Sequence, residues 1–342
     1  MNNCLDWRNR SGQKRKSPGE TRRVLAKTHS KFLVAFVCAA AVSILAQPSF
    51  AQSRAVDRSQ LLQDQTQPPF GTSTTSEGFE DGHAAESPND ADIGEQEVLK
   101  RTATYQPLSV FLGTPIFYTS NVALTNKGEM SDVVIAPTVG AFYDPQITKT
   151  LYGHFGAREQ VFYYGDNPSF DFGSLDVEAG LNYFLPQFHN LILRGWYDFN
   201  RLTFDDRLGD EFFSNHGLIL NAELPFRFSR AQQLSVGADT NISVGADHQS
   251  PRRNDYEGYV AYSASLTRAF SINAVGRVVA RDYHQNGRTD VSEIVSASAT
   301  YRLFDWCSIS AIGSFAHSDS NHDVFDYNVG DLGGAVALSA KF

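Results

Sequence analysis

Apolar and polar side chains alternate along the chain from about Leu108 to the C-terminus. One stretch places Val236, Ala238, Thr240, Ile242, Val244 and Ala246 on one face and Ser235, Gly237, Asp239, Asn241, Ser243 and Gly245 on the other. The same alternation recurs in residues 175–182, 218–228 and 272–281. Because successive side chains of a strand point to opposite faces of its sheet, a period of two predicts strands with one apolar and one polar face. This part of the chain is therefore predicted to be all-β.

The alternating stretches are longer than the strands of most soluble sheets. They run for about 11–16 residues, whereas a typical strand has about five or six and a tilted membrane strand needs about 9–11. Twelve strands are predicted near residues 108–119, 131–143, 148–164, 172–184, 189–204, 213–228, 232–247, 254–268, 270–284, 289–303, 306–319 and 328–342. Lipid offers no hydrogen-bond partner to a strand edge, so membrane strands must close on themselves. We predict a transmembrane antiparallel β-barrel of about 12 strands over residues 104–342.

Loop lengths and aromatic residues favour the same fold. Short turns are predicted near residues 185–190, 229–233, 268–270 and 304–306, and longer polar loops at 200–212, 247–254, 284–289 and 319–323. Outer-membrane barrels have short periplasmic turns, longer outer loops and aromatic girdles at both membrane interfaces. Aromatic groups such as Phe162-Tyr163-Tyr164 and Tyr183-Phe184 stand near predicted strand ends. The cell outer membrane is therefore the expected location.

The last predicted strand ends on an aromatic residue at the C-terminus. Its outward positions are Leu332, Gly334, Val336, Leu338, Ala340 and Phe342. This pattern resembles the insertion signal of outer-membrane proteins, with Leu338 and Phe342 as its main residues. The expected partners are the barrel-assembly machinery, through this strand, and the lipid and lipopolysaccharide of the outer membrane.

The first 51 residues have the layout of a secretory signal peptide. A basic segment precedes an apolar run of 15 residues, Phe32 to Ala46, and small residues stand at Ser49 and Ala51. A membrane-spanning helix needs about 20 apolar residues, so cleavage after Ala51 is the better interpretation of this run.

Residues 52–103 have a different composition. They hold ten acidic and four basic residues and show no sustained apolar period. Low hydrophobicity with net negative charge predicts a disordered segment, which we expect in the periplasm. A plug or a docking peptide is the alternative.

Charge and missing motifs exclude several function classes. Residues 52–342 keep 20 basic and 36 acidic residues, a net charge of −16, which disfavours nucleic acid as a partner. Their single cysteine, Cys307, allows no internal disulfide. The sequence has no phosphate-binding glycine loop, serine elbow or metal-spaced Cys/His set. We therefore predict no enzyme, no cofactor and no metal site. The polar cluster at residues 317–322 leaves a lipid hydrolase as a remote alternative.

Charged residues stand at positions predicted to face the barrel lumen. The lumen-lining candidates are His154, Arg158, Asp176, Glu178, Arg194, Asp198, Glu223, Arg227, Asp239, Glu257, Arg277 and Arg281. Charges at membrane depth must be paired or hydrated. Acids and bases that pair across strands would fill a closed lumen. Alternatively, Arg158, Arg194, Arg277 and Arg281 would form a ladder that guides anionic solutes.

The start of the barrel resembles a known group of proteins. It reads Phe117-Tyr118-Thr119-Ser120-Asn121-Val122-Ala123-Leu124, followed by Ser131-Asp132-Val133-Val134 and later Leu181-Asn182-Tyr183. This is similar to the outer-membrane β-barrel porin family whose genes often lie beside exopolysaccharide genes. There, a first strand ends in an Asn-Val turn and an Asp opens the second strand. The resemblance implies a barrel and an export or porin role, and it implies no catalytic residues.

Three functions follow as hypotheses. The first is a porin-like channel for small hydrophilic solutes or for saccharide export. The second is a closed barrel that acts as a structural or interaction protein, and the third is the lipid hydrolase. Arg252 and Arg253, in a predicted outer loop, are candidates for contact with lipopolysaccharide phosphates.

Overall fold

The computed structural model describes residues 54–62, 105–204, 210–229 and 231–342. In these residues, thirteen antiparallel strands follow one another around a single sheet, and the last pairs with the first. They are β1 Leu108–Thr119, β2 Asp132–Ile135, β3 Thr138–Tyr143, β4 Leu151–Tyr164, β5 Phe172–Leu185, β6 Leu191–Phe204, β7 Glu211–Ser229, β8 Gln232–Asp247, β9 Arg253–Ser265, β10 Phe270–Tyr283, β11 Thr289–Phe304, β12 Cys307–Ser320 and β13 Tyr327–Lys341. The sheet is therefore a closed barrel.

The segments β2 and β3 together occupy one place in the barrel. Both pair with β1 on one side and β4 on the other. They are separated by Ala136 and Pro137, and a proline cannot donate a ladder hydrogen bond. Counted in this way, the described barrel has twelve strands, so the predicted all-β barrel of about 12 strands is confirmed.

The two ends of the barrel sequence close the sheet. The Leu108 amide donates to the Phe342 carbonyl at 3.1 Å, and the Phe342 amide donates to the Leu108 carbonyl at 2.8 Å. From this point the β1–β13 register continues to the pair Thr119 and Asp331. The alternating final strand thus satisfies the edge of the first, as lipid requires.

Side chains alternate between the two faces of the sheet as predicted. Leu112, Leu220 and Val295 are exposed on the outer face, which in a membrane contacts lipid. The rings of Phe304 and Trp306, at the β11–β12 turn, stack with centroids 5.2 Å apart. An apolar outer band bounded by aromatic residues is the surface of an outer-membrane barrel.

The barrel has two distinct ends. The end that holds Leu108, Phe342 and the short β5–β6, β7–β8, β9–β10 and β11–β12 turns is here called the turn end. The opposite end, called the loop end, holds the longer connections such as residues 120–131 and 165–171. Longer loops face outward in outer-membrane barrels, so the loop end is the outer one.

Residues 54–62 form an α-helix, α1, inside the barrel at the loop end. At these residues the structure differs from the predicted disorder, because the lumen wall covers apolar side chains that the segment itself cannot bury. Residues 63–103 and the predicted signal peptide lie outside the described residues. No helix among the described residues is long and apolar enough to span a membrane.

Candidate functional site

In the turn half of the lumen, inward side chains of the wall pack against one another. Arg194 of β6 donates to Glu223 Oε2 of β7 at 3.0 Å and to Asn221 Oδ1 at 2.6 Å. Tyr259 of β9 reaches across β8 and donates to the same Glu223 oxygen at 3.3 Å. Glu223 is fully buried and Arg194 is 8 % exposed. A buried charge pair of this kind is held in place by its hydrogen bonds and is costly to break.

Aromatic stacking extends this packing around His154 of β4. Its ring stacks on Trp196 of β6 with centroids 4.0 Å apart, and its two nitrogens lie 2.6 Å from Asp144 and 3.1 Å from Glu178. The indole nitrogen of Trp196 donates to Asn182. These contacts fix two large side chains across three neighbouring strands.

A second polar group lies nearer the middle of the barrel. Arg158 of β4 pairs with Asp176 of β5 at 3.1 Å, and Asn200 of β6 donates to Asp176 at 2.6 Å. Asp198 is buried nearby and interacts electrostatically with Arg158. On the other side of the barrel, Arg277 lies 3.8 Å from Glu257.

These contacts decide between the two arrangements considered for the predicted arginines. Arg158, Arg194 and Arg277 each pair with a carboxylate on a neighbouring strand, so they do not form a ladder of unpaired positive charge. Arg281 donates to the Ser292 hydroxyl, which in turn donates to Ser318 at 2.9 Å. All three charge pairs run along the wall and none of the three crosses the lumen.

The remaining predicted lumen residues lie at the edges of these groups. Glu178 belongs to the His154 cluster. Asp239 is half-buried on an inward position of β8, while Arg227 is exposed near the turn end of β7. Arg227 therefore stands at the mouth of the lumen rather than within it.

In the loop half, the helix α1 fills the lumen. All nine of its positions are buried or partly buried, so protein surrounds it on every side. Val56 and Leu62 pack in one cluster with the inward residues Phe117, Val134, Phe162, Phe172, Leu202 and Phe213. Leu61 packs in a second cluster with the inward residues Val279, Ile294, Ala316, Tyr327 and Val329. The apolar residues of α1 thus contact two separate parts of the wall.

The charged residues of α1 have partners in the wall and loops. Arg58 lies 4.4 Å from the ring centroid of Phe170 and 5.6 Å from that of Tyr164, and it donates to the Val122 carbonyl at 3.3 Å. Arg54 donates to the Val324 carbonyl at 2.7 Å. These contacts tie α1 to the loops at the outer end.

Asp57 makes the closest polar contacts between α1 and the barrel. Arg253 and the Tyr283 hydroxyl donate to Asp57 Oδ1 at 2.5 and 2.6 Å, and Arg288 donates to Oδ2 at 2.9 Å. The three donors are only 6 %, 4 % and 4 % exposed. We call Arg253, Tyr283 and Arg288 the Asp57 site. Charge-assisted hydrogen bonds in a buried setting are among the strongest in proteins.

Local sequence places these donors. Arg253 and Tyr283 are directly opposed in the β9–β10 register, and both occupy inward positions. Arg288 follows the turn residues Asn286 and Gly287, which both have positive φ, a conformation that an Asn-Gly pair adopts at low cost. The Tyr283 amide donates to the Arg288 carbonyl at 3.0 Å and closes this connection.

The charges of the site keep Asp57 ionised. Burial by itself raises the pKa of a carboxyl group. Here the positive charges of Arg288 and Arg253, together with the Tyr283 hydrogen bond, outweigh burial and hold the pKa of Asp57 below its usual value. The bound form is therefore the carboxylate.

The sequence did not predict the Asp57 site, and it assigned Arg253 to the outer surface instead. Arg253 is buried in the lumen and so is not a surface contact for lipopolysaccharide, because the register of β9 turns it inward. Arg252 donates to the Ser243 carbonyl at 2.8 Å. The alternation of β9 and β10 could have identified Arg253 and Tyr283 as inward, but nothing in the sequence paired them with Asp57.

The polar cluster at residues 317–322 is split between the two faces of the sheet. His317 faces outward and lies 2.7 Å from Asn328 and 3.3 Å from Asp319. Ser318 is fully buried on the inner face, where it accepts a hydrogen bond from Ser292. A nucleophile and its base must lie within hydrogen-bond reach, so His317 and Ser318 do not form such a pair.

Asn121 and Asp132, two of the residues that carried the family resemblance, lie in the rim around α1. Asn121 donates to the carbonyls of Thr125 and Asn328 at 2.7 and 2.9 Å. Asp132 accepts hydrogen bonds from the amides of Asp166 and Asn167, both at 2.9 Å. These two residues therefore hold neighbouring outer loops together.

Solved structures of outer-membrane barrels are similar to this chain in fold. An outer membrane channel from Pseudomonas putida F1 aligns with a TM-score of 0.50 and 10% identity over 69% of this chain and 96% of that one. The translocator domain of the autotransporter NalP from Neisseria meningitidis aligns with a TM-score of 0.43 and 11% identity over 87% and 100%. An anion-selective porin from Comamonas acidovorans aligns with a TM-score of 0.32 and 7% identity over 69% and 98%. No protein-family model and no curated protein sequence matches the chain.

At these identities the likeness concerns the fold alone. Together with the closed sheet and its apolar outer band, it identifies the chain as an outer-membrane β-barrel.

Proposed function

We propose that this outer-membrane barrel is a channel for small hydrophilic solutes, saccharides among them, and that α1 closes its lumen in the state described. The observation that carries the proposal is the position of α1 inside the barrel, where six of its nine residues are buried and three are partly buried. The helix is held by side-chain packing and by the polar contacts of Asp57, Arg58 and Arg54. Such contacts are reversible, so the same element can open the passage.

The wall beneath α1 supports the proposal. The pairs of Arg158 with Asp176, Arg194 with Glu223, and Arg277 with Glu257 each join neighbouring strands. They therefore remain in place when α1 moves and leave a polar wall of both signs. The closing element and the supporting wall are separate, as a gated channel requires.

Single-channel conductance of the chain from Gln52 onward, in planar bilayers, tests the proposal. We expect few openings from the unaltered protein. In Asp57→Ala the open fraction rises by at least about tenfold, because hydrogen bonds to charged groups stabilise the closed state by about 1.5–3 kcal/mol. The matched variant Asp323→Ala removes an exposed carboxylate at the same end of the barrel and leaves the open fraction unchanged.

Silence from a folded, heat-modifiable Asp57→Ala protein would contradict the channel and favour the second candidate, a closed structural or interaction barrel. The complete enclosure of α1 is also compatible with that function. If the protein is a closed barrel, a protease site introduced next to α1 should resist cleavage both in the unaltered protein and in Asp57→Ala.

A further inference from the structure

We propose that the Asp57 site is a binding site for the carboxylate groups of permeating solutes, and that Asp57 occupies it as a built-in competitor. This inference rests on the proposed channel function and adds a solute class to it. The ligands it predicts are small organic acids and acidic sugars such as uronates.

The geometry of the site matches a single carboxylate. Its donors divide between the two oxygens, with Arg253 and Tyr283 on Oδ1 and Arg288 on Oδ2. Arginine side chains suit planar carboxylates because their donors lie in one plane at fixed spacing. A solute carboxylate in the same place would find the same three donors.

The donors are already fixed by the barrel. Arg253 donates to the Tyr283 hydroxyl at 2.9 Å, and its Nε donates to Asp255 at 2.8 Å. Arg288 lies 4.0 Å from the ring centroid of Tyr283 and 3.5 Å from that of Phe325, and it also pairs with Asp290. None of these five contacts involves α1, so they do not depend on it. A preformed site loses less entropy when a ligand binds.

The local charge favours an anion once Asp57 has left. Without Asp57, Arg253 still pairs with Asp255 of the wall and Arg288 still pairs with Asp290 of the wall. Arg281 is also buried beside the site and acts on Asp57 electrostatically. Arg288, Arg253 and Arg281 all favour the ionised form of the carboxyl group that occupies the site, and this attraction is stronger in a region of low dielectric than in water.

The test is rescue of Asp57→Ala by acetate, which has the size of the missing group. We expect acetate to raise the thermal unfolding midpoint of Asp57→Ala and to reduce its open fraction, whereas neutral acetamide does neither. Glucuronate should compete with acetate, and glucose should not. In Asp57→Ala combined with Tyr283→Phe, which removes only the hydroxyl, the acetate concentration for half-maximal rescue should rise about tenfold.

Arg288→Gln in the Asp57→Ala background should weaken rescue by acetate at least as much as Tyr283→Phe does. If the Arg288→Gln variant does not fold, the Tyr283→Phe variant still tests the site. If acetate and acetamide act alike, or if inorganic phosphate rescues while acetate does not, the carboxylate site is refuted.

The two readouts separate the two proposals. If acetate raises the unfolding midpoint of Asp57→Ala in a barrel that never conducts, the site stands and the channel fails. If Asp57→Ala conducts but acetate changes neither readout, the channel stands and the site fails.

Discussion

The inward side chains of the two halves of the barrel are covered in different ways. In the turn half, inward side chains of the strands pack against one another, as Arg194, Glu223 and Trp196 show. In the loop half, the strands leave a space that a separate helix, α1, occupies. The turn half is packed by side chains of the sheet itself, whereas the loop half is packed by a segment outside the sheet.

This difference has a consequence for stability and for opening. A change in the turn-half network acts on groups that bridge strands, so it changes the free energy of unfolding of the barrel. A change at the Asp57 site acts on the contact between α1 and the wall, while Arg253 and Arg288 keep Asp255 and Asp290 as partners. The two halves should therefore respond to the loss of one carboxylate in opposite ways.

The largest expected effect is at Glu223. Glu223→Ala leaves the guanidinium of Arg194 buried without its counter-charge, and breaking a buried pair in this way costs about 3–5 kcal/mol. We expect the urea midpoint of the barrel in lipid vesicles to fall accordingly, with no increase in the open fraction. The measurement is equilibrium unfolding followed by tryptophan fluorescence.

Glu223→Gln is the matched control for this change. It keeps the shape and a hydrogen-bond acceptor for Arg194, so its loss of stability should be smaller than that of Glu223→Ala. An open fraction that rises in Glu223→Ala as much as in Asp57→Ala would show that the two halves are not distinct.

A smaller effect is expected at Gly180, which lies under the His154–Trp196 stack. A Cβ at this position would lie 2.6 Å from the Cα of Trp196 and against the Gly195 carbonyl. Overpacking of a rigid interior costs about 1–3 kcal/mol, so Gly180→Ala should lower the urea midpoint. Gly258→Ala is the control, because its Cβ would meet no atom within 4 Å.

If Gly180→Ala and Gly258→Ala unfold at the same urea concentration, the turn half is more adaptable than the packing around Trp196 indicates. A shift in the Gly180 variant alone supports tight packing of the wall side chains at this end.

The barrel itself could be predicted because its signal is local and repeated. The alternation of residues 218–228, for example, fixes which side chains face lipid, and closure follows from the chemistry of lipid. Predicted strand ends such as 204 and 119 agree with β6 and β1. The division of one strand into β2 and β3 was not anticipated, although Pro137 marks it.

The Asp57 site could not be predicted because its parts are far apart in the sequence. Asp57 and Arg288 are separated by 231 positions, and Asp57 stands in a segment whose composition predicts disorder. The large apolar residues of α1 are Val56, Leu61 and Leu62. Their partners are inward apolar residues such as Phe162 and Ile294, and alternation gives the orientation of these residues but not what covers them.

The smallest expected effect is the response of the closed state to acid. The pKa of Asp57 lies below its usual value when α1 is bound, so the stabilisation that it provides is complete above the pKa of the released carboxyl group, about 3.9. That stabilisation is lost as the pH falls through the lower pKa of the bound form. The open fraction of the unaltered protein should therefore stay constant from about pH 8 to about pH 5 and rise below about pH 4.

Asp57→Asn separates this titration from that of the other groups around the site. These groups are Arg54, Arg253, Arg281, Arg288, Tyr283, Asp255 and Asp290. The arginines and Tyr283 keep their protons throughout this range. If Asp57→Asn shows no rise below about pH 4, the response belongs to Asp57. A rise of the same size in Asp57→Asn would show that the response to acid does not belong to Asp57.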